Sequence, residues 1–379
     1  MLVLDFSQFL SGPSASLRLA DLGARVIKIE RENTGDPCRR LTLKNININD
    51  DSLLFHTINR NKESYTADLK KNNDLLKIKE LISYADVVIE NFRPGTMEKF
   101  ELDYKSLAKI NPGLIYGSIS GYGKEGPWRD KPGQDLLAQA LSGLTWLNGN
   151  KDQPPTPFGL SVADLLAGAH LAQGILTCLI KKGASGKGDL VEVSLLESLL
   201  QFQFEVFTTH LNDGEKEPIR SKANNAHAYL AAPYGIYETK DGYIALAMGS
   251  VVTLGKLLAS PELRKYEDPD TWFTKRDEIK EIIANKLKEQ PTDEWINILE
   301  SGEYWCSDVF NWEQLIKHEG FHALDMIQDI VIAEDTSVKT TRSPIRIDGE
   351  IIKSSKKAPL LGEDNQKIDD EFHLTGGAL

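Results

Sequence analysis

The sequence predicts an α/β protein, and three observations carry that prediction. Short apolar runs of strand length alternate with helical patterns through the first half of the chain. Some of those runs, such as Leu2–Leu4 and Val87–Ile89, are apolar in succession rather than alternating, as strands buried on both faces are. After residue 212 the pattern changes to a hairpin followed by charged helical stretches, so a second, smaller α+β domain is expected.

The elements follow in order. Leu2–Phe6 reads as a strand, Ser11-Gly12-Pro13-Ser14 as a turn with capping character, Ala15–Leu22 as a helix ended by Gly23, and Arg25–Glu30 as a second strand. This βαβ start implies a parallel sheet. Glu30 at the end of the second strand invites a dinucleotide reading, but the first turn lacks Gly-x-Gly-x-x-Gly. Tyr65–Leu69 is a short strand. Asn73 or Asp74 caps a helix with Leu75, Ile78, Leu81 and Ile82 on one face. Asp86–Glu90 is a buried-type strand running into Asn91-Phe92-Arg93-Pro94-Gly95. A loop at a carboxyl strand end is where open α/β sheets bind ligands; there Arg93 can hold a phosphate and Phe92 can stack on a base. The same residues also read as a plain Pro-Gly turn. Tyr104–Ile110 is a helix and Leu114–Ser120 a strand. Further on, Val191–Ser194 is extended, with a second apolar helix near Glu197. Residues 212–226 are polar and read as a linker. Thr239-Lys240-Asp241-Gly242 between Gly235–Glu238 and Tyr243–Ala247 is a hairpin signal, and Asp277–Lys288 is an amphipathic helix.

With 379 residues the chain can bury a sizeable core and hold two domains. Its net charge of -12 argues against general nucleic-acid binding. Cys38, Cys178 and Cys306 are widely spaced and odd in number, so neither a disulfide framework nor a metal site is expected, and a reducing cytoplasm fits. The first residues, MLVLDF, read as a strand without a basic leader region, and no uninterrupted apolar run is long enough to span a membrane.

Two acids stand out between Lys131 and Ile180. Asp135 and Asp164 each open an Ala/Leu-rich run that reads as a buried helix. An acid at a helix head lies in its positive end-field, which favours the ionised form while apolar surroundings strip its water; such a carboxylate is a usable nucleophile. Local sequence equally allows both to be N-terminal caps, with Ser161 a rival cap.

Several segments together, in order and spacing, resemble the family III CoA-transferases, the group that includes formyl-CoA transferase, carnitine CoA-transferase and the 2-methylacyl-CoA racemases. They are Val3-Leu4-Asp5 with Ser11-Gly12-Pro13; Gly23 to Glu30; Asn59-Arg60-Asn61-Lys62; Glu90 to Gly95; Ala163-Asp164; Gly186-Lys187-Gly188; and Pro359-Leu360-Leu361-Gly362-Glu363. The resemblance implies a Rossmann-like large domain built from both chain ends, 1–211 and 326–379, a small domain over 212–325, and two subunits interlocked as a homodimer. It implies Asp164 as the nucleophile, Gln134 and Asp135 as the pair facing the thioester, and Ser11, Arg31, Ala67, Asp68, Leu69, Asn91, Phe92, Arg93 and Lys99 as the coenzyme A site. Coenzyme A enters as substrate, in acyl-CoA, with a carboxylic acid as co-substrate; exchanging one activated acyl group for another needs no tightly bound cofactor.

Within that family the racemases carry His-Asp where this chain has Gln134-Asp135. Racemisation needs a base on each face of the α-carbon, and a glutamine amide cannot take up and return a proton. Transfer is therefore expected rather than 2-methylacyl-CoA racemisation; a non-catalytic CoA-binding protein is a further alternative, against which both acids argue. Leu10 stands where formyl-CoA transferase has Gln, and only Met248-Gly249-Ser250 matches its glycine run, so an oxalate acceptor is not implied. The Trp-rich stretch Glu303–Phe321 departs from the family pattern and either shapes an acyl pocket or packs the domains.

Overall fold

Six strands form one parallel sheet in the computed structural model, which describes residues 1–377. They are β1 (Leu2–Asp5), β2 (Arg25–Glu30), β3 (Glu63–Thr66), β4 (Val87–Glu90), β5 (Ile115–Ser120) and β6 (Leu190–Ser194). Their spatial order is β3-β2-β1-β4-β5-β6, every neighbouring pair parallel. This is the doubly wound order in which the winding reverses between β1 and β4. At such a switch point open α/β sheets form their ligand crevice, at the carboxyl edge.

Helix α1 (Ser11–Asp21) starts earlier than its sequence suggests: Ser11 to Ser14 are its first turn, with the Ser14 N–H on the Leu10 carbonyl at 2.8 Å. Pro13 is tolerated because a first-turn N–H has no helical partner. Helix α2 (Asn72–Ser83) follows Lys71, and neither Asn73 nor Asp74 caps it. Asp74 instead accepts the Asp68 N–H at 3.0 Å, tying the strand exit to the helix. Helix α3 (Tyr104–Ile110) is capped by Asp103. Leu4, Phe6, Ile27, Val88 and Tyr116 form the core beneath α2 and α3. The other sheet face meets the 24-residue α5 (Val162–Ser185), which α4 (Asp135–Leu141) precedes and α6 (Leu195–Phe202) follows. Gly117 of β5 leaves room there for Leu171 and Ile175.

Helix α5 is not an uninterrupted apolar run. It is long and apolar enough to cross a membrane, because its Ala, Leu and Ile outweigh Asp164, His170 and Gln173. It packs against β5 and α1, and Val162, Ala163, Ala167, Leu171 and Ile175 are buried. The α1 contact depends on Gly168: a Cβ there would lie 2.0 Å from Ser14 Oγ and 2.7 Å from the Ser11 carbonyl oxygen.

The chain forms two compact units. The first holds 1–138, 160–202 and 325–379; the second holds 139–159 and 203–324. Residues 139–159 and 203–211, which the resemblance places in the large domain, fall in the second compact unit. The chain's end returns to the first unit over edge strand β3. The Thr66 N–H donates to Asn365 Oδ1 at 2.9 Å and the Ser64 N–H to Asp364 Oδ2 at 3.0 Å, while Ile368 enters the core. An otherwise open strand edge is thereby covered.

In the second unit, β7 (Gly235–Glu238) and β8 (Tyr243–Leu246) form the expected hairpin. Strand β8 also pairs with the later strand Cys306–Asp308. Asp241 in the turn accepts the Thr292 N–H at 2.8 Å and so anchors the helix Thr292–Ser301. Tyr237, Ile244, Ile283, Trp295 and Leu299 make this unit's own core.

Candidate active site

Asp164 occupies the first turn of α5, two residues past its first residue, and is half-buried. Ser161, at the N-cap, makes no capping bond. Asp135 opens α4, is buried, and its Oδ2 accepts the Asp164 backbone N–H at 3.1 Å. The two acids are therefore neighbours although 29 residues separate them. The Ser11 hydroxyl donates to the Asp164 carboxylate, and Ser11 Oγ itself accepts from Asn91 Nδ2 at 3.2 Å.

These contacts decide the charge on Asp164. Burial, then the negative charge of Asp135, push its carboxyl up to about 7 against the Ser11 hydrogen bond. The helix head does not hold it in the ordinary carboxylate range, contrary to the expectation from sequence. A carboxylate whose conjugate acid titrates near neutrality is more basic and more nucleophilic than a solvated one, and half of it is still ionised at pH 7.

Asn91 ties together the two loops that flank the crevice. Its Oδ1 accepts the Gln8 N–H and its Nδ2 donates to the Gln8 carbonyl, both at 2.8 Å. The exits of β1 and β4 are thus stitched together beside Asp164. Of the residues that the resemblance assigns to coenzyme A, Ser11 meets the acid, and Asn91 meets Ser11.

The other expected residues lie along the same carboxyl edge. Arg31 follows β2 and is exposed; Ala67, Asp68 and Leu69 follow β3; Phe92 and Arg93 follow β4, with Arg93 exposed. Lys99, in the short turn Glu98–Phe100, is exposed. Ala67 is buried, and its N–H donates to the Glu30 carbonyl at 2.9 Å. Gln134 is exposed and adjoins Asp135. Phe92 and Arg93 border a cavity of about 40 Å³ that Tyr116, Ser118 and Lys124 also line. In its wall Glu90 is buried, and burial pushes its carboxyl up to about 7 although the Ser118 hydroxyl and the Phe92 N–H oppose this.

Glu30 is no ribose ligand. It is buried against Arg39, which reaches it at 2.7 and 2.8 Å, and accepts the Asp36 N–H and the Ser64 hydroxyl. Sequence reasoning also passed over Asp5, Lys28 and Lys62, which are fully buried beneath the β1–α1 loop. A charged residue inside each of the runs LVLD and RVIKIE was the available signal.

A family model described as CoA-transferase family III matches residues 1–365.

The chain belongs to CoA-transferase family III.

As such it is an enzyme, a CoA-transferase. It is 32% identical to succinyl-CoA:glutarate CoA-transferase of Mus musculus over 97% of this chain and 84% of that protein. It is 31% identical to succinyl-CoA:mesaconate CoA-transferase of Haloarcula hispanica over 99% and 96%. With acetyl-CoA:oxalate CoA-transferase of Acetobacter aceti it shares 35% identity over 79% of this chain and 77% of that one. Among solved structures, a CAIB/BAIF family protein from Brucella suis superposes with a TM-score of 0.83 at 29% identity, covering 98% of each chain.

Proposed function

We propose that this family III CoA-transferase moves coenzyme A from an acyl-CoA to a free carboxylic acid through intermediates on Asp164. The ionised Asp164 attacks the thioester carbonyl, forming a mixed anhydride and releasing the CoA thiolate. The thiolate attacks the aspartyl carbonyl of that anhydride, giving an aspartyl-CoA thioester and freeing the donor acid. The acceptor carboxylate attacks this thioester, the released thiolate attacks the new acyl carbonyl, and Asp164 is regenerated. Atoms and charge balance without an added oxidant or reductant. The observation that carries the reading is the Asp164 carboxyl itself: half-buried beside Asp135, bonded by Ser11, and raised to about 7.

Arg31 and Arg93, at the exits of β2 and β4 on either side of β1, support binding of the CoA phosphates by charge-assisted hydrogen bonds. Relatives named for succinyl-CoA with glutarate or mesaconate support a dicarboxylic acyl group on donor, acceptor or both. The exposed Leu165, Leu176 and Ile180 of α5 support a protein partner, which we take to be a second copy interlocked with the first. Three free cysteines support a cytoplasmic setting.

The test is hydroxylamine trapping during turnover with succinyl-CoA and glutarate, read by peptide mass. A hydroxamate on Asp164, with transfer abolished in Asp164→Asn that still binds coenzyme A, is the expected result. Trapping elsewhere, or wild-type turnover in the variant, overturns the assignment.

A further inference from the structure

We infer that Lys62 is a positioning residue for transfer: its buried ammonium holds the β1–α1 loop so that Ser11 meets Asp164. This rests on the proposed role of Asp164 and goes beyond it.

The geometry is specific. Lys62 Nζ, fully buried, donates to Asp5 Oδ2 at 3.0 Å, to Asn59 Oδ1 at 2.9 Å and to the Pro13 carbonyl at 3.1 Å. Three donors thus reach three acceptors: on β1, after the short helix Leu53–Ile58, and in the first turn of α1. Lys28 does the same for the loop's start, with Nζ on the Ser7 carbonyl and on Asp36, both at 2.8 Å. Asp5 answers both lysines and binds the Ser7 N–H at 3.0 Å and the Ser16 hydroxyl at 2.5 Å. The Phe9 N–H donates to Asp36 at 3.1 Å with Phe9 at φ 63°, a conformation a bulky residue holds only under constraint.

A buried pair of lysines and acids costs desolvation and is no obvious source of stability. Its effect here is directional. Ser7, Phe9 and Pro13 are each tied from below, and Gln8 is tied sideways to Asn91. Ser11 follows two residues after Phe9 and two before Pro13, so its hydroxyl has little freedom to leave Asp164. Releasing Pro13 frees the first turn of α1 and weakens the one contact that favours the charged acid.

The experiment pairs Lys62→Met with Asp5→Asn, so that no charge is left buried alone, in wild-type and Ser11→Ala backgrounds. Kinetic constants are measured against pH, and the Asp164 carboxyl is titrated by infrared difference against Asp164→Asn. We expect the rise of kcat/KM to move alkaline by about half a pH unit or more, an about threefold loss at pH 6.5 with KM for acyl-CoA nearly unchanged, and no further shift without Ser11. A folded pair with the wild-type inflection, or an equal loss with and without Ser11, overturns the inference. Where the pair does not fold, Asn59→Ala decides: it removes one acceptor of the same ammonium, a smaller alkaline shift is expected, and an unmoved inflection overturns. If Asp164→Asn stays active while the infrared titration still follows Lys62, the nucleophile assignment has failed and the positioning role stands.

Discussion

Removing the Ser11 hydroxyl should move the pH at which the enzyme turns on. The hydroxyl donates to the Asp164 carboxylate, while burial and Asp135 work against the charge and leave the carboxyl at about 7. A hydrogen bond to a charged group contributes about 1.5–3 kcal/mol, and 1.36 kcal/mol moves a pKa by one, so Ser11→Ala should raise Asp164 to about 8–9. In the proposed mechanism the nucleophile is the ionised form of Asp164, so kcat/KM rises with pH through that value and then levels. At pH 7 the ionised fraction falls from about a half to about 1–10%, an about 5- to 50-fold loss, and near pH 10 most of it returns. Asp135→Asn should act in the opposite direction: one of the two causes raising Asp164 disappears, and the inflection moves acidic. The assay is initial-rate CoA transfer over pH 5–10 with stability checked at each pH. A Ser11→Ala profile lowered equally at every pH, or one that falls as pH rises, would refute the reasoning.

The remaining predictions are these. Asp164→Asn should abolish transfer yet stabilise the fold at pH 8. Because the carboxyl is raised in the folded state, the wild type loses stability as pH climbs from about 4 to about 7. A lift from 3.8 to about 7 is at most about 4 kcal/mol, reduced to about 1–2 by partial solvation, and thermal melts at pH 5 and pH 8 check the sign. Gly168→Ala forces a Cβ onto Ser14 Oγ and the Ser11 carbonyl, so it should cost about 1–3 kcal/mol and lower kcat together with Tm. Arg93→Ala should raise KM for acyl-CoA more than it lowers kcat, by about 1–3 kcal/mol in binding; an unchanged KM would leave Arg93 a turn residue. In heavy water a 2-methylacyl-CoA should gain no enzyme-dependent α-deuterium, because Gln134 has no titratable nitrogen; fast uptake without acceptor acid would return the racemase reading.

Much of the fold was legible in the sequence because it depends on local pattern. Apolar runs such as VVIE and helical stripes such as Leu75, Ile78, Leu81 and Ile82 report burial directly. Family motifs in order identified the chemistry and singled out Asp164 and Asp135. Other features were decided by tertiary structure, since they arise between residues far apart in the chain. The strand order that opens the crevice between β1 and β4 is a matter of pairing, which periodicity does not encode. That Asp135 accepts the Asp164 N–H, that Asn91 donates to Ser11, and that Glu30 is consumed by Arg39 follow from contacts across the fold. The charge of Asp164 shows the division most plainly. Its place at a helix head was readable and favours ionisation, but desolvation and a neighbouring carboxylate depend on three-dimensional surroundings, and in a half-buried site they outweigh the helix end.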